Sequence, residues 1–176
     1  METSIILIFG LSVAVILILW IVLGVLYLRG LKEDISLKWE DLDELLRKRQ
    51  NLIPNLVETV RYNNSSYSKL LEELVEARHK TSREYKNGAE KIEYEYDFLI
   101  KLEETLSLEK DVPELSGDTN FLELKTEFGY LKKEIKIRTE AFNDSVRKYN
   151  KNKRFLLIRP LAKIFRYERA DIFKTA

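Results

Sequence analysis

One pair of residues has the spacing of a metal-binding motif. Glu76 and His79 form a Glu-x-x-His sequence, and di-iron helical bundles hold their metals with two such pairs and two further glutamates. The chain contains a single histidine and cannot supply the second pair. Both residues also fall off the apolar stripe that contains Leu74 and Ala77, which favours a solvated helix face. We therefore expect no metal site and no cofactor.

The composition excludes several other kinds of chemistry. The absence of cysteine excludes disulfides, thiolate metal sites and a catalytic thiol. Six glycines and three prolines leave little for a phosphate-binding loop or a Rossmann crossover. No group therefore stands out as a catalytic nucleophile or base, and we expect a protein without enzymatic activity.

A set of polar residues lies on or beside the apolar stripes of the predicted helices. Buried amides and guanidinium groups need hydrogen-bond partners, so we expect an interhelical network that fixes helix register. A ligand site built from the same groups is the alternative, but it would lack an evident acid, base or metal cage. The set consists of Arg49, Asn55, Asn63, Asn143 and Asn150.

Basic residues are concentrated near the C-terminus. Residues 147–169 include nine lysines and arginines and one acid, interleaved with aromatic and aliphatic side chains. The apolar half is most simply interpreted as a lid that closes the end of a bundle. Contact with an anionic membrane is the second interpretation, at ~1 kcal/mol per basic residue near the headgroups. Nucleic-acid contact is third and is not expected. The residues assigned to lipid or partner contact are Arg147, Lys148, Lys151, Lys153, Arg154, Arg159, Lys163 and Arg166.

An apolar segment near the N-terminus is long enough to cross a membrane. After a short tail of residues 1–4, residues 5–28 contain no charged side chain. At ~1.5 Å rise per residue they exceed the ~30 Å hydrocarbon core, which predicts an uncleaved transmembrane helix. Arg29, Lys32 and Lys38 follow the span, and the positive-inside rule therefore predicts a cytoplasmic C-terminal side. Gly10 and Ala14 form a small-xxx-small pair, and homo-oligomerisation is left open.

The rest of the chain, residues 29–176, has the periodicity of packed helices. A three-and-four alternation of seam residues runs without a change of phase from Trp39 to Ala77 and predicts one helix over about residues 34–86. That helix should be kinked near Pro54 and end at Asn87-Gly88. The seam residues are Trp39, Leu42, Leu46, Arg49, Ile53, Leu56, Val60, Asn63, Tyr67, Leu70, Leu74 and Ala77.

Three further elements complete the prediction. A second helix is expected over about residues 89–109, with Ile92, Tyr96, Leu99, Leu102 and Leu106 inward. Residues 111–118 are expected to form a loop, and Asp118 or Thr119 to cap a third helix that ends near residue 153. A short helix with Pro160 in its first turn should follow and reach residue 165. The inward residues of the third helix are Phe121, Leu124, Phe128, Leu131, Ile135, Phe142, Val146 and Tyr149.

The predicted fold class is all-α: an N-terminal transmembrane helix, then an antiparallel up-down bundle of three long helices plus a short C-terminal helix. About 145 residues are enough to bury a core for such a bundle.

The segment from Trp39 to Val60 resembles the LemA family of bacteria. Its most specific part is the run Ile-Pro-Asn-Leu-Val-Glu-Thr-Val at residues 53–60. The pairs Phe142-Asn143 and Tyr149-Asn150 stand where the family has Tyr-Asn repeats. The chain departs from the family at residues 131–133, at Thr139 and in the tail, so no role tied to the tail positions is carried over.

The resemblance implies a membrane-anchored, mostly antiparallel helical bundle from a family whose members are not known as enzymes. Together with the residues it leads us to expect a scaffold or adaptor that docks a protein partner, anchored in the bacterial inner membrane with the bundle in the cytoplasm. Binding of an anionic membrane surface by the basic C-terminal region is the alternative.

Overall fold

The computed structural model describes residues 2–81, 88–155 and 157–173, and within these ranges it contains helices and no strands. The all-α prediction is confirmed. The helices are α1 (Glu2–Asn51), α2 (Ile53–Asn63), α3 (Ser68–Thr81), α4 (Gly88–Ser107), α5 (Pro113–Gly117), α6 (Thr119–Lys153) and α7 (Arg159–Ile164). Single 3-10 turns occupy Ser65–Tyr67 and Leu108–Lys110.

Helix α1 joins the apolar segment directly to the charged segment that follows. In the described part of the chain it belongs to the one stretch that is long and apolar enough to cross a membrane. The sequence predicted a span and a separate helix beginning near Asp34, but α1 runs unbroken through Gly30 to Asn51. One glycine in a helix interior costs only ~1 kcal/mol, and no proline occurs before residue 54.

A kink within one continuous helix was predicted near Pro54, whereas in the structure α1 ends at Asn51 and a separate helix, α2, begins at Ile53 with the proline in its first turn. The prediction of one helix through residues 63–66 is wrong. Asn64 has extended backbone angles, and its side-chain oxygen accepts a hydrogen bond of 2.9 Å from the Ser66 amide. Short polar side chains compete with helical bonds in this way, which an unbroken apolar phase does not reveal. The helix was predicted to end at Asn87-Gly88. Residues 82–87 lie outside the described residues, and α4 begins at Gly88.

The chain divides into two compact units. The first comprises Met1–Leu37 and Asp144–Asp171, and the second Lys38–Asn143 and Ile172–Ala176. The core of the first unit contains Leu28 and Leu31 of α1, Tyr149 of α6 and Ala162 of α7. The core of the second unit is larger and is formed by apolar residues of α2, α3, α4, α5 and α6 together with the turn between α4 and α5.

The seam positions from Trp39 to Ala77 are all buried or half-buried, and the eight inward positions predicted for α6 are all buried. The prediction for α4 is wrong by about one residue in its first half. Glu95 and Phe98 face inward there, while Tyr96 is 55% exposed. Ile92 lies outside the side chains that the structure describes. A prediction from hydrophobicity places Tyr96 inward in preference to Glu95, and it therefore assigned the wrong inward face to this part of α4.

Residues 111–118, predicted as a loop, contain the short helix α5 with Pro113 in its first turn. Asp118 then caps α6, since its Oδ1 atom accepts a hydrogen bond of 2.9 Å from the Phe121 amide. The predicted short final helix is confirmed as α7, and Pro160 lies in its first turn.

Candidate functional site

A buried ion pair joins α1 to α4 in the second unit. Arg49 is 3% exposed and Glu95 2% exposed, and the Arg49 Nη2 atom donates a hydrogen bond to Glu95 Oε2. The guanidinium carbon lies 5.0 Å from the centroid of the Phe98 ring. Burial lowers the pKa of Arg49, and the Glu95 carboxylate opposes this shift. Arg49 therefore has a buried partner, as predicted, but the partner is a carboxylate rather than one of the predicted asparagines.

Asn63 links the end of α2 to the start of α6. Its Nδ2 atom donates hydrogen bonds to the Thr59 carbonyl at 2.9 Å and to Asp118 Oδ2 at 2.8 Å. The bond from Asn63, followed by the bond from the Phe121 amide, lowers the pKa of Asp118. Asn55 is exposed on α2 and does not take part in this arrangement. The predicted polar set is therefore not one network.

Asn143 binds the main chain of the C-terminal tail within the second unit. Its Nδ2 atom donates to the Phe173 carbonyl at 2.6 Å, and its Oδ1 atom accepts from the Phe173 amide at 2.7 Å. The Trp39 ring contacts two phenylalanines, with centroid distances of 5.4 Å to Phe142 and 5.7 Å to Phe173. The carboxamide and the rings together hold Phe173, which is 4% exposed.

Asn150 makes the same kind of pairing within the first unit. It donates to the Ala170 carbonyl at 2.7 Å and accepts from the Ala170 amide at 3.2 Å. The neighbouring Tyr149 hydroxyl donates to the Glu168 carbonyl at 2.8 Å, and burial raises the pKa of this tyrosine. Both asparagines thus bind backbone of the tail rather than side chains of other helices.

Helix α7 packs against α1 at the end of the predicted membrane span. Leu161 and Ala162 are buried, and a Cβ atom added at Gly24 would overlap the Leu161 Cδ1 atom. The glycine therefore permits the close approach of α7 to α1. Within the first unit, the apolar half of the C-terminal region therefore packs on α1.

The basic side chains of residues 147–166 are largely exposed. Seven of the eight residues assigned to lipid or partner contact are exposed and Lys153 is half-buried. Four of them surround a cleft of about 580 Å³ with Ala162 and Tyr167. The four are Lys153, Arg154, Arg159 and Lys163. Large apolar residues are exposed nearby in sequence: Phe155, Leu157, Ile164 and Phe165.

Glu76 and His79 are both exposed on α3, as predicted, and Glu76 forms an ion pair of 3.0 Å with Lys80. In the ranges described, no group of three or more histidines and acids is placed to hold a metal ion.

Two contributors were missed by the sequence interpretation, Glu95 and the tail backbone at residues 168–173. The sequence indicated that Arg49 needs a buried partner, but α4 carries several glutamates and nothing local distinguishes Glu95. The seven-residue spacing of Asn143 and Asn150 on α6 indicated that they share a face of the helix. It did not indicate that both would form hydrogen bonds with the main chain of the tail.

Comparison with known families agrees with the resemblance noted in the sequence. The model of the LemA family matches residues 38–176, which include both asparagine pairings and the basic region. A search of curated proteins found no match. Because the family match spans most of the chain, the protein is a member of the LemA family.

Proposed function

We propose that the protein is a non-enzymatic, single-pass membrane protein whose helical bundle acts as a scaffold or adaptor for a protein partner. The proposal includes the finer architecture expected from the sequence, an antiparallel up-down bundle of three long helices with a short C-terminal helix. It also includes a location in the bacterial inner membrane, with the N-terminus outside and the bundle in the cytoplasm. Basic residues immediately after the span support this orientation. Nucleic acid is not an expected partner.

An apolar groove in the second unit carries the docking proposal. Ile53, Pro54 and Val57 of α2 and Val75 of α3 line a groove of about 670 Å³. Three charged residues also line it: Glu58, Arg61 and Arg78. Tyr62 lies at the same groove and is 89% exposed. Exposed aromatic side chains beside an apolar depression are typical anchors of protein interfaces. We therefore expect apolar side chains of a partner to enter the groove.

Site-specific photo-crosslinking in cells tests this proposal. A photoreactive phenylalanine analogue replaces Tyr62 in the full chain, and the matched control replaces Tyr130, which is 61% exposed on α6 in the same unit. We expect a discrete adduct with one protein from position 62 and none from position 130. Equal labelling from the two positions, or no adduct from either, would contradict docking at the groove.

The position of α7 favours a second candidate function, contact with an anionic membrane surface. Leu161 packs over Gly24, four residues before the end of the predicted span, so α7 lies beside the last turn of that span. Exposed apolar side chains and basic residues at this level match the composition of segments that lie in a membrane interface. The cleft formed by Lys153, Arg154, Arg159 and Lys163 is suited to a phosphate headgroup.

Fluorescence of the full chain in lipid nanodiscs tests the second candidate. An environment-sensitive probe on Phe165→Cys should report a more apolar environment in anionic than in zwitterionic discs. High salt should reduce the difference, because exposed charge interactions are screened. Reversal of Arg159, Lys163 and Arg166 to glutamate should abolish it, whereas reversal of Lys132, Lys133 and Lys136 should not. Equal fluorescence in anionic and zwitterionic discs would exclude electrostatic contact with the membrane.

A further inference from the structure

The contacts of Phe173 resemble those of a bound peptide more than those of a core residue. Phe173 is buried, whereas the two residues before it, Asp171 and Ile172, are exposed, so in the described part of residues 171–176 the phenylalanine alone is anchored. Its amide and carbonyl both pair with one side chain, that of Asn143. The site thus recognises one aromatic ring and the main chain that carries it.

The walls of this site belong to the helices and not to the tail. Trp39 lies on α1, and Phe142 and Asn143 lie next to each other on α6. The T-shaped contact between Trp39 and Phe173, with 77° between the ring planes, is a geometry that aromatic pairs prefer. A carboxamide that pairs with the amide and the carbonyl of one residue can form the same hydrogen bonds with the main chain of another protein. The described hydrogen bonds of Asn143 to Phe173 therefore do not depend on the side-chain sequence of the tail.

We infer that Trp39, Phe142 and Asn143 form a recognition site for a peptide segment that carries an aromatic residue, and that Phe173 is its resident ligand. A partner segment binds there when the tail leaves. This inference rests on the proposed docking function for its partner class, but it concerns a different surface from the groove at Tyr62.

The tether explains why the tail holds the site in the resting protein. An attached ligand has an effective concentration of about millimolar, so a free peptide of similar chemistry competes poorly. Within the first unit the described part of the tail is held by the Ala170 pairing with Asn150 and by the Tyr149 bond to the Glu168 carbonyl. Within the second unit it is held by the Phe173 pairing with Asn143 and by the ring contact with Trp39. Release of Phe173 leaves two hydrogen-bonding groups of Asn143 and the aromatic rings available to a partner.

Peptide binding in trans tests the inference. The probe is a fluorescein-labelled peptide with the sequence of residues 169–176, and binding is followed by anisotropy with the full chain in detergent micelles. We expect the chain truncated after Asp171 to bind the peptide at least ~10-fold more tightly than the complete chain does. Phe173→Ala in the complete chain should also increase binding and removes no residue from the chain.

Two controls define specificity. Asn143→Ala in the truncated chain should weaken binding ~10-fold, because both hydrogen bonds to the main chain of the phenylalanine are lost. Asn55→Ala, at an exposed asparagine in the same unit, should leave it unchanged. A labelled peptide with alanine in place of phenylalanine should not bind. Helicity and melting of each variant are checked by circular dichroism.

The inference is overturned if neither the truncated chain nor Phe173→Ala binds the peptide better than the native chain. It is also overturned if the alanine peptide binds as well as the phenylalanine peptide. Crosslinking at Tyr62 is independent of these measurements, so a failure here leaves the groove proposal standing, and the reverse holds as well.

Discussion

At the scale of single residues, the Arg49–Glu95 pair is a charged contact buried in the second unit. Both charges are withdrawn from water, so each depends on the other for compensation. We expect Arg49→Ala or Glu95→Ala to lower the free energy of unfolding by ~3–5 kcal/mol, because each change leaves one buried charge without its partner. The joint replacement Arg49→Met with Glu95→Leu should restore stability to within ~1 kcal/mol of the native chain or raise it.

Chemical denaturation followed by circular dichroism measures these differences. The control is Lys132→Ala, which removes a cation from the exposed ion pair with Glu103 and should cost less than ~1 kcal/mol. Single variants at Arg49 and Glu95 that are as stable as the Lys132 variant would show that the buried pair contributes little.

Asp118 should give the stability of the second unit a component that depends on pH. The hydrogen bonds from Asn63 and from the Phe121 amide lower the pKa of Asp118 in the folded chain below its unfolded value of about 3.9. The contribution of the ionised carboxylate is therefore present above that unfolded value and is lost as the pH falls through the folded pKa. We expect the free energy of unfolding to fall more between pH 5 and pH 3 in the native chain than in Asp118→Asn.

The asparagine variant keeps a capping oxygen but has no carboxyl group to protonate. Asp111→Asn, at an exposed aspartate before α5, is the matched control and should retain the native pH dependence. Identical pH profiles for the native chain and Asp118→Asn would contradict the assignment.

The sequence predicted which residues need partners better than it predicted the partners. The seam position of Arg49 indicated burial, and the Asn63 and Asn143 positions indicated half-buried amides. Their partners depend on the distance in space between segments that lie 30 to 55 residues apart. Local patterns contain no such information, which is why Glu95 and the Phe173 main chain were missed.

At the scale of elements, periodicity was sufficient where apolar residues alone determine the inward face. The stripes of α1, α2, α3 and α6 were predicted on this basis and are confirmed by burial. The prediction failed in the first half of α4, where an inward glutamate reverses the apparent polarity. It also failed at Asn64, where a side-chain hydrogen bond ends a helix without changing the phase of the stripe.

The packing of α7 on α1 leads to a prediction at this scale. Gly24→Leu should displace α7, because even one added carbon would overlap Leu161. Gly30→Leu is the matched control, since a Cβ atom there meets nothing within 4 Å. Trypsin cleavage after Lys163 and Arg166 in nanodiscs reports the displacement, and we expect faster cleavage in Gly24→Leu alone. Equal cleavage of the two variants would show that Gly24 does not seat α7.

At the scale of the whole molecule, the side of the membrane that holds the bundle decides which partners it can meet. The charge bias after the span predicts the cytoplasmic side. The chain has no cysteine, so a single Ser66→Cys substitution at an exposed position of the second unit provides one reporter. We expect a membrane-impermeant maleimide to label this residue only after the cells are broken.

The control places the cysteine at Thr3, on the other side of the predicted span, where labelling should occur in intact cells. Labelling of Ser66→Cys in intact cells would reverse the orientation, and the tail would then compete with partners in the cell envelope.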